Sequence, residues 1–227
     1  MTYVVATSKN WRPEMVGNIS LQTDVQVSFI EDKKNLNKDY LDGIGATTIF
    51  FPHWSYIIPS EIYENYECII FHMTDLPFGR GGSPLQNLIV RDISETKISA
   101  LRCVKEVDAG PIFMKRPLSL QGTAQDIYVR ASAIIEDMIV SIIEKKPDPQ
   151  DQTGEVVLFK RRKERDGSLA QLKTLEQVYD HIRMLDAEGY PNAFIETDKL
   201  HFEFKNASIK SDYILADVMI MRKPDGK

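Results

Sequence analysis

Residues 46–72, ATTIFFPHWSYIIPSEIYENYECIIFH, decide the fold that this sequence predicts. The apolar runs ATTIFF (46–51) and ECIIF (67–71) indicate two strands, and SEIYENY (60–66), capped by Ser60, indicates a short helix between them. Both strands are continuously apolar rather than alternating, which is typical of strands buried on both faces. This strand–helix–strand order favours a parallel sheet covered by helices.

The same alternation continues on both sides of this stretch. Further strands are predicted at 3–8, 25–32, 97–107 and 110–120, and further helices at 36–45, from Pro84 onward and at 123–146. The last helix has Thr123 as its cap and one apolar stripe, which predicts a buried face. We therefore predict an α/β fold, with a doubly wound, mostly parallel, Rossmann-like sheet over residues 1–150.

A change of composition follows at PDPQDQTG (147–154), which we interpret as a linker. Beyond it, the pattern predicts a strand, a helix with a Thr174/Gln177 capping box, a hairpin around Asp198 and a last strand at 213–221. Residues 151–227 are thus predicted to form a small β-rich C-terminal appendage.

Composition limits the function classes. The chain has 227 residues and a formal net charge of −5, which argues against a general nucleic-acid binder. Its two cysteines lack the spacing of metal ligands, so neither a metal nor a disulfide framework is expected. No run is long enough for a membrane helix and no leader pattern is present, so we expect a cytoplasmic protein.

The segment HMTDLPFGRGGSP (72–84) carries the strongest chemical signal. Ligands of an open parallel sheet bind at the carboxyl ends of its strands, where the turns 8–11, 52–59, 72–84 and 107–110 should gather. There, His72 can exchange a proton near neutral pH and Asp108 can stabilise its cationic form. The glycines let the backbone approach a ligand, and Arg80 adds a positive charge.

The residues alone leave alternatives open. A single histidine after a strand is structural about as often as it is functional, and an aspartate before Ala-Gly is often only a turn residue. No glycine-rich dinucleotide or P-loop motif is present. The pattern therefore indicates an α/β enzyme with a His/Asp pair, without its reaction.

The segment resembles the signature His-x-Ser-x-Leu-Pro-x-x-Arg-Gly-x-x-Pro of the N10-formyltetrahydrofolate-dependent formyltransferases. The matching residues are His72, Leu76, Pro77, Arg80, Gly81 and Pro84. VDAGPI (107–112) is similar to the second signature of that family, 36 residues after the histidine (108 − 72). The stretches 53–63, 159–169 and 179–197 also resemble family segments, so the resemblance covers most of residues 46–200.

The resemblance implies a fold, a co-substrate and a set of site residues. It implies transfer of a formyl group from N10-formyltetrahydrofolate to an amine, with His72 and Asp108 as catalytic residues. The cofactor-binding residues it implies are Arg80, Gly81, Gly82, Arg102, Val104 and Val107. The candidates for contact with the acceptor are Lys9, Asn10, Trp11, Trp54, Tyr56 and Thr74, although a surface turn or core packing would explain several of them equally well.

One position departs from the family pattern. The family normally has an Asn two residues before the histidine, where it helps to hold the oxyanion, and this chain has Ile70. His53, Thr74 and Asn87 are candidate replacements, and we favour His53. A purely structural, hydrogen-bonded His53 is the competing interpretation.

The acceptor is inferred from resemblance alone. The sequence of the motif is most similar to that of small bacterial sugar N-formyltransferases. This resemblance implies a nucleotide-linked amino-dideoxy sugar of a pseudaminic-acid-type pathway as substrate. Neither a nucleic-acid nor a membrane partner is expected, and a homodimer is possible. The alternatives are a carrier-bound aminoacyl group, methionyl-tRNA, or a folate-binding relative without catalysis.

Overall fold

The computed structural model describes residues 2–9 and 11–223. Its contacts divide these residues into two compact units. The first contains the described residues up to Gly81, Thr96–Leu118 and Tyr128–Leu158, and the second contains Gly82–Glu95, Ser119–Ile127 and the described residues from Phe159 onward. Each unit is made of three separate chain segments. The predicted domain boundary at residue 150 therefore stays a prediction.

The elements follow the predicted α/β alternation. The strands are β1 (Thr2–Ala6), β2 (Val27–Ile30), β3 (Ala46–Phe51), β4 (Glu67–His72), β5 (Phe78–Gly81), β6 (Glu95–Arg102), β7 (Ile112–Ser119), β8 (Val157–Phe159), β9 (Ala193–Glu196), β10 (Leu200–Ile209) and β11 (Ile214–Arg222). The helices are α1 (Met15–Thr23), α2 (Lys38–Gly43), α3 (Ser60–Tyr63), α4 (Pro84–Ile89), α5 (Ala124–Lys145) and α6 (Leu175–Arg183).

A six-stranded sheet, in the order β2-β1-β3-β4-β6-β7, organises the first unit. The pairs β1–β2, β1–β3 and β3–β4 are parallel, which confirms the predicted doubly wound α/β class. β6 runs antiparallel to β4, with Ile69 opposite Arg102 and His72 opposite Ser99. The sheet is therefore mixed, and the end of β6 lies level with the start of β4.

The core of the first unit is built from the continuously apolar strands. Val4, Ile49 and Phe51 have no or almost no exposed surface, and Cys68 lies in the same cluster. Within this unit, Ala131, Ile135 and Met138 of α5 are fully buried. Burial of this kind stabilises a fold by about 25 cal/mol per Å² of apolar surface, which fixes the strand ends that carry the site.

Three local predictions differ from the structure. No helix is predicted at α1, where Gly17, Asn18 and Ser20 interrupt the apolar pattern, yet Met15 and Ile19 are buried there. Ser60 is not the cap of α3 but its first residue, after Pro59. The loop after His72 contains the short strand β5, and Val157 donates its N–H to the Pro77 carbonyl there.

The second unit holds the antiparallel sheet β11-β10-β9 and helix α6. As predicted, the Thr174 side chain caps α6 by accepting the N–H of Gln177. Ile182 on α6 is buried, which gives this unit its own apolar contacts. Among the described residues, β11 pairs only with β10, and it exposes about half of Leu215, Val218 and Met219.

Candidate active site

His72 ends β4 and lies almost buried, with 8 % of its surface exposed. Its Nε2 lies 2.8 Å from the Gly79 carbonyl oxygen. A carbonyl oxygen can only accept a hydrogen bond, so Nε2 must carry the hydrogen. In the neutral ring the lone pair therefore belongs to Nδ1, which is the atom that can take up a proton.

Asp108 faces that second nitrogen. Its Oδ2 lies 3.6 Å from Nδ1 of His72 and accepts the N–H of Gly81 at 2.9 Å. Both side chains are nine-tenths buried, so water screens their interaction weakly. When Nδ1 takes up a proton, the imidazolium cation forms beside the Asp108 carboxylate, whose negative charge stabilises it.

Two glycines of the FGRG segment make these contacts possible. Gly79 has φ 79° and presents its carbonyl to His72, while Gly81 has φ 107° and presents its N–H to Asp108. Residues other than glycine adopt such φ angles only with strain. Gly79 and Gly81 thus shape the backbone around the His/Asp pair, and the approach of a ligand to these glycines stays a prediction.

Asp108 reaches this place by a route that the sequence analysis did not foresee. The prediction grouped its turn with those at the carboxyl ends of parallel strands, but β6 runs antiparallel and ends level with Cys68 at the opposite edge. The connection after Arg102 therefore returns along the sheet before it reaches His72. Asp108 itself has φ 54°, and Gly110 packs directly against the Arg102 carbonyl group.

Replacing Gly110 by Ala should destabilise this connection. A Cβ there would lie 1.9 Å from the Arg102 carbonyl oxygen, which no real contact allows. Overpacking of this kind costs about 1–3 kcal/mol, so urea denaturation should give a lower free energy of unfolding by that amount. Gly43→Ala, where nothing lies within 4 Å of the added Cβ, is the control. Equal stability of the two variants would contradict the close packing.

Arg80 lies beside the pair and is held by a residue that the sequence analysis assigned to a linker. Its Nε and Nη2 donate to Gln152 Oε1 at 3.1 and 2.8 Å, and its Nη1 lies 3.5 Å from Glu106. Gln152 in turn donates from Nε2 to the carbonyl oxygens of Asp108 and Gly110, each at 2.8 Å. No sequence signal distinguishes this glutamine from its polar neighbours.

His53 follows β3, next to β4, and is held by a defined chain of hydrogen bonds. Ser132 donates its hydroxyl hydrogen to the Tyr128 carbonyl at 2.8 Å, so it can only accept from His53 Nε2 at 2.9 Å. Nε2 therefore carries the hydrogen, and Nδ1 is left as an acceptor. These contacts disfavour the predicted oxyanion-donor role, because the single N–H of the neutral ring is already used.

His53 should make stability depend on pH. Burial lowers the pKa of His53 from 6.5 to about 4. The unfolded chain binds a proton near pH 6.5 and the folded chain only near pH 4, so stability is lost as the pH falls through this window. Urea denaturation at pH 7.5 and 4.5 should show that His53→Gln loses less stability than the original chain, by up to about 3 kcal/mol. Identical losses would contradict a neutral, partly buried ring.

The predicted acceptor residues near the first strand gather in one pocket. Lys9, Trp11, His53 and Ser132 line it, and the Trp11 ring stacks on Tyr128 with centroids 5.3 Å apart. Asn10 lies outside the described residues. This pocket joins three of the predicted site residues from two loops, since Lys9 and Trp11 follow β1 and His53 follows β3.

The remaining predicted residues lie in several settings. Trp54 packs edge-on against Phe51 of the core, whereas Tyr56 is half exposed. Thr74 is fully buried and donates to the Gly79 carbonyl at 3.4 Å. In the second unit, Gly82 packs against Arg161, and Asn87 donates to the carbonyl groups of Gly82, Ser83 and Lys160.

The stretch after β6 offers free backbone groups. Arg102 pairs with Glu67, and Val107 is 57 % exposed at the other end of the stretch. The amides of residues 104–107 donate no backbone hydrogen bond within the described residues. A flat heterocycle with alternating donors and acceptors, such as a pterin, fits a row of free backbone groups beside an exposed apolar side chain.

Comparison with known proteins identifies the family. The family described as "Methionyl-tRNA formyltransferase, C-terminal domain" matches residues 164–221. A solved structure of methionyl-tRNA formyltransferase from Clostridium thermocellum is 47 % identical, covers 98 % of this chain and 100 % of that one, and superposes with a TM-score of 0.95. The chain belongs to the formyltransferase family. This membership confirms the resemblance stated from the two motifs.

Two further relatives show how far the likeness extends. Methionyl-tRNA formyltransferase of Streptococcus pneumoniae (strain ATCC 700669 / Spain 23F-1) is 24 % identical over 165 residues, which are 69 % of this chain and 53 % of that protein. The chain thus spans about half the length of this curated relative. HypX from Aquifex aeolicus, solved with tetrahydrofolic acid, shares the fold at 16 % identity, with a TM-score of 0.76 over 90 % of this chain and 37 % of that one.

The described residues contain no membrane-length apolar helix and no cluster of three or more His, Cys, Asp or Glu residues that could hold a metal ion. Both cysteines are free, and burial raises the pKa of the Cys103 thiol to about 11. Neither thiol is therefore ionised at neutral pH. Of the ionisable groups at the site, His72 and Asp108 lie 3.6 Å apart with both side chains almost buried.

Proposed function

We propose that this chain transfers a formyl group from N10-formyltetrahydrofolate to a primary amine. The observation that carries this proposal is the His72–Asp108 pair, with its 3.6 Å separation and its free Nδ1 lone pair. Family membership supports the reaction class, and the free amides after β6 support the folate site.

The residues divide the work of the reaction. Bound N10-formyltetrahydrofolate would supply the formyl group, which replaces one hydrogen of the amine. His72 takes up, at Nδ1, the proton that the amine loses, and Asp108 stabilises the resulting imidazolium. His72 then gives the proton to N10 of the folate as the bond between N10 and the formyl carbon breaks. Proton transfer by a positioned side chain contributes about 10²–10⁴ in rate. Ile70 offers no hydrogen-bond donor where the family has Asn, so this chain lacks one source of oxyanion stabilisation.

A nucleotide-linked amino-dideoxy sugar is the acceptor that we favour. The net charge of −5 supports it, because tRNA binding usually needs a strongly basic surface to neutralise phosphates. The pseudaminic-acid-type pathway and the homodimer stay predictions.

Methionyl-tRNA is the second candidate. The 47 % identical structure carries the name of a methionyl-tRNA formyltransferase, and the family match at residues 164–221 carries the same description. A polyanionic acceptor of this kind would bind more weakly as salt concentration rises, whereas a small acceptor would be less sensitive.

An acceptor panel tests the proposal. The purified chain is incubated with N10-formyltetrahydrofolate and, separately, with methionyl-tRNA, an aminoacylated carrier protein and nucleotide-linked amino sugars, and formylated product is detected by mass spectrometry. We expect product with an amino sugar. Product with methionyl-tRNA alone would replace the favoured acceptor, and folate binding without any product would favour a non-catalytic relative.

A further inference from the structure

The side chain of Gln152 uses its full hydrogen-bonding capacity at the site. Its carbonyl oxygen accepts two hydrogen bonds from Arg80, and its amide nitrogen donates both hydrogens, to the carbonyl groups of Asp108 and Gly110. The reversed amide would place its hydrogens against the guanidinium and its oxygen against two carbonyl oxygens. The contacts therefore allow only one orientation.

The turn that Gln152 holds is poorly supported by its own backbone. Asp108 has φ 54°, a conformation that side chains other than glycine adopt with strain, so surrounding contacts must maintain it. Within the turn, Ala109 donates to the Glu106 carbonyl at 3.3 Å, near the upper limit for such a bond. The two shorter bonds from Gln152 are thus the main support of the Asp108 backbone among the described contacts.

We propose that Gln152 is the positioning residue of the site, which fixes the Asp108 carboxylate beside His72 and orients Arg80. Its hydrogen bonds described above reach neither His72 Nδ1 nor the Asp108 carboxylate. Gln152 therefore acts on the site through the backbone of the turn and through the Arg80 guanidinium. Its effect on catalysis rests on the proposed function, whereas its hold on the turn does not. A misplacement of about 1 Å at a catalytic group can lower a rate about 10²-fold.

Two substitutions test the two parts of this role, which are the bonds that hold the Asp108 turn and the bonds that orient Arg80. Gln152→Glu keeps an oxygen for Arg80 but turns a second oxygen toward the carbonyl groups of Asp108 and Gly110, which releases the turn. Gln152→Ala removes both parts. Gln150→Glu and Gln150→Ala are matched controls, because the exposed Gln150 lies in the same segment and its side chain, within the part of the chain that the structure describes, donates only to the Asp148 carbonyl.

The first measurement is steady-state kinetics of the purified chain with the acceptor that the panel identifies. We expect both Gln152 variants to lower kcat about 10- to 100-fold. For Gln152→Glu, in which Arg80 stays paired, we expect the KM for N10-formyltetrahydrofolate to change less than about threefold. The Gln150 controls should match the original chain. An unchanged kcat in both Gln152 variants would overturn the proposal.

The second measurement does not depend on catalysis. Amide hydrogen exchange of the folded chain should become faster at Gly81 and Ala109, whose N–H groups bond the Asp108 carboxylate and the Glu106 carbonyl, in both Gln152 variants and stay unchanged in the controls. If the original chain formylates no amine, the proposed function fails while this exchange still decides the structural claim. Unchanged exchange at these amides would overturn it. If Gln152→Ala does not fold, the Gln152→Glu result stands alone for both measurements.

Discussion

Replacing His72 by Ala is expected to lower the rate of formyl transfer by about 10²–10⁴. The substitution removes Nδ1, the only ring atom with a free lone pair facing Asp108. Single-turnover measurements with N10-formyltetrahydrofolate and a saturating amine report this step directly. Removing a side chain at the end of β4 leaves the core strands intact, so circular dichroism should be unchanged. His201→Ala, in the second unit, should retain full activity.

Asp108 and His72 should act as one catalytic unit, so the effects of replacing them should not be additive. Asp108→Asn keeps an oxygen for the Gly81 N–H but removes the charge that stabilises the imidazolium. We expect a loss of similar size, and the double variant should be no slower than His72→Ala, because residues that act as a unit are not additive. Full activity of His72→Ala would exclude the proton-transfer role, and additive losses would exclude the pairing.

Restoring the family's Asn is expected to produce a gain of about 10²–10³ in kcat, the value of one well-placed oxyanion donor. Ile70 lies two residues before His72 on β4, and side chains two apart point to the same face of a strand. Ile70→Asn therefore places an amide on the face that carries the imidazole. Because Ile70 is only partly buried and packs against the core cluster, the change should cost about 1–3 kcal/mol of stability.

The control for this gain is Ile70→Leu, which keeps an apolar side chain of similar volume and offers no donor. It should leave kcat within about threefold of the original chain, since volume-conserving changes are tolerated. A folded Ile70→Asn chain with unchanged or lower kcat would show that another group already holds the oxyanion. The contacts of His53 and Thr74 argue against either of them, because their hydrogens already bond Ser132 and Gly79.

The parallel half of the sheet could be predicted from sequence because its strands are buried on both faces. That burial leaves continuous apolar runs such as ATTIFF (46–51), and the turn after each run indicates where a ligand binds. The direction of β6 could not be predicted, because an apolar run has the same composition in either direction. The sequence therefore predicts that Asp108 lies near His72, but not the antiparallel strand that precedes it.

Side-chain contacts distant in sequence account for the other differences. Gln152 occupies a stretch rich in Pro, Gly and polar residues, where composition indicates only a linker, and its role depends on Arg80 and Asp108 folding toward it. The hydrogen position of His53 depends on Ser132, 79 residues away. Such roles follow from tertiary placement and leave no local pattern in the sequence.

The most direct test of the account is whether an amine gains a formyl group in the presence of this chain and N10-formyltetrahydrofolate, measured by mass spectrometry beside the Asp108→Asn chain. The account predicts formylated amine with the original chain and at least about 100-fold less with Asp108→Asn. Equal product from both chains, or bound folate with no formylated amine from either, would contradict it.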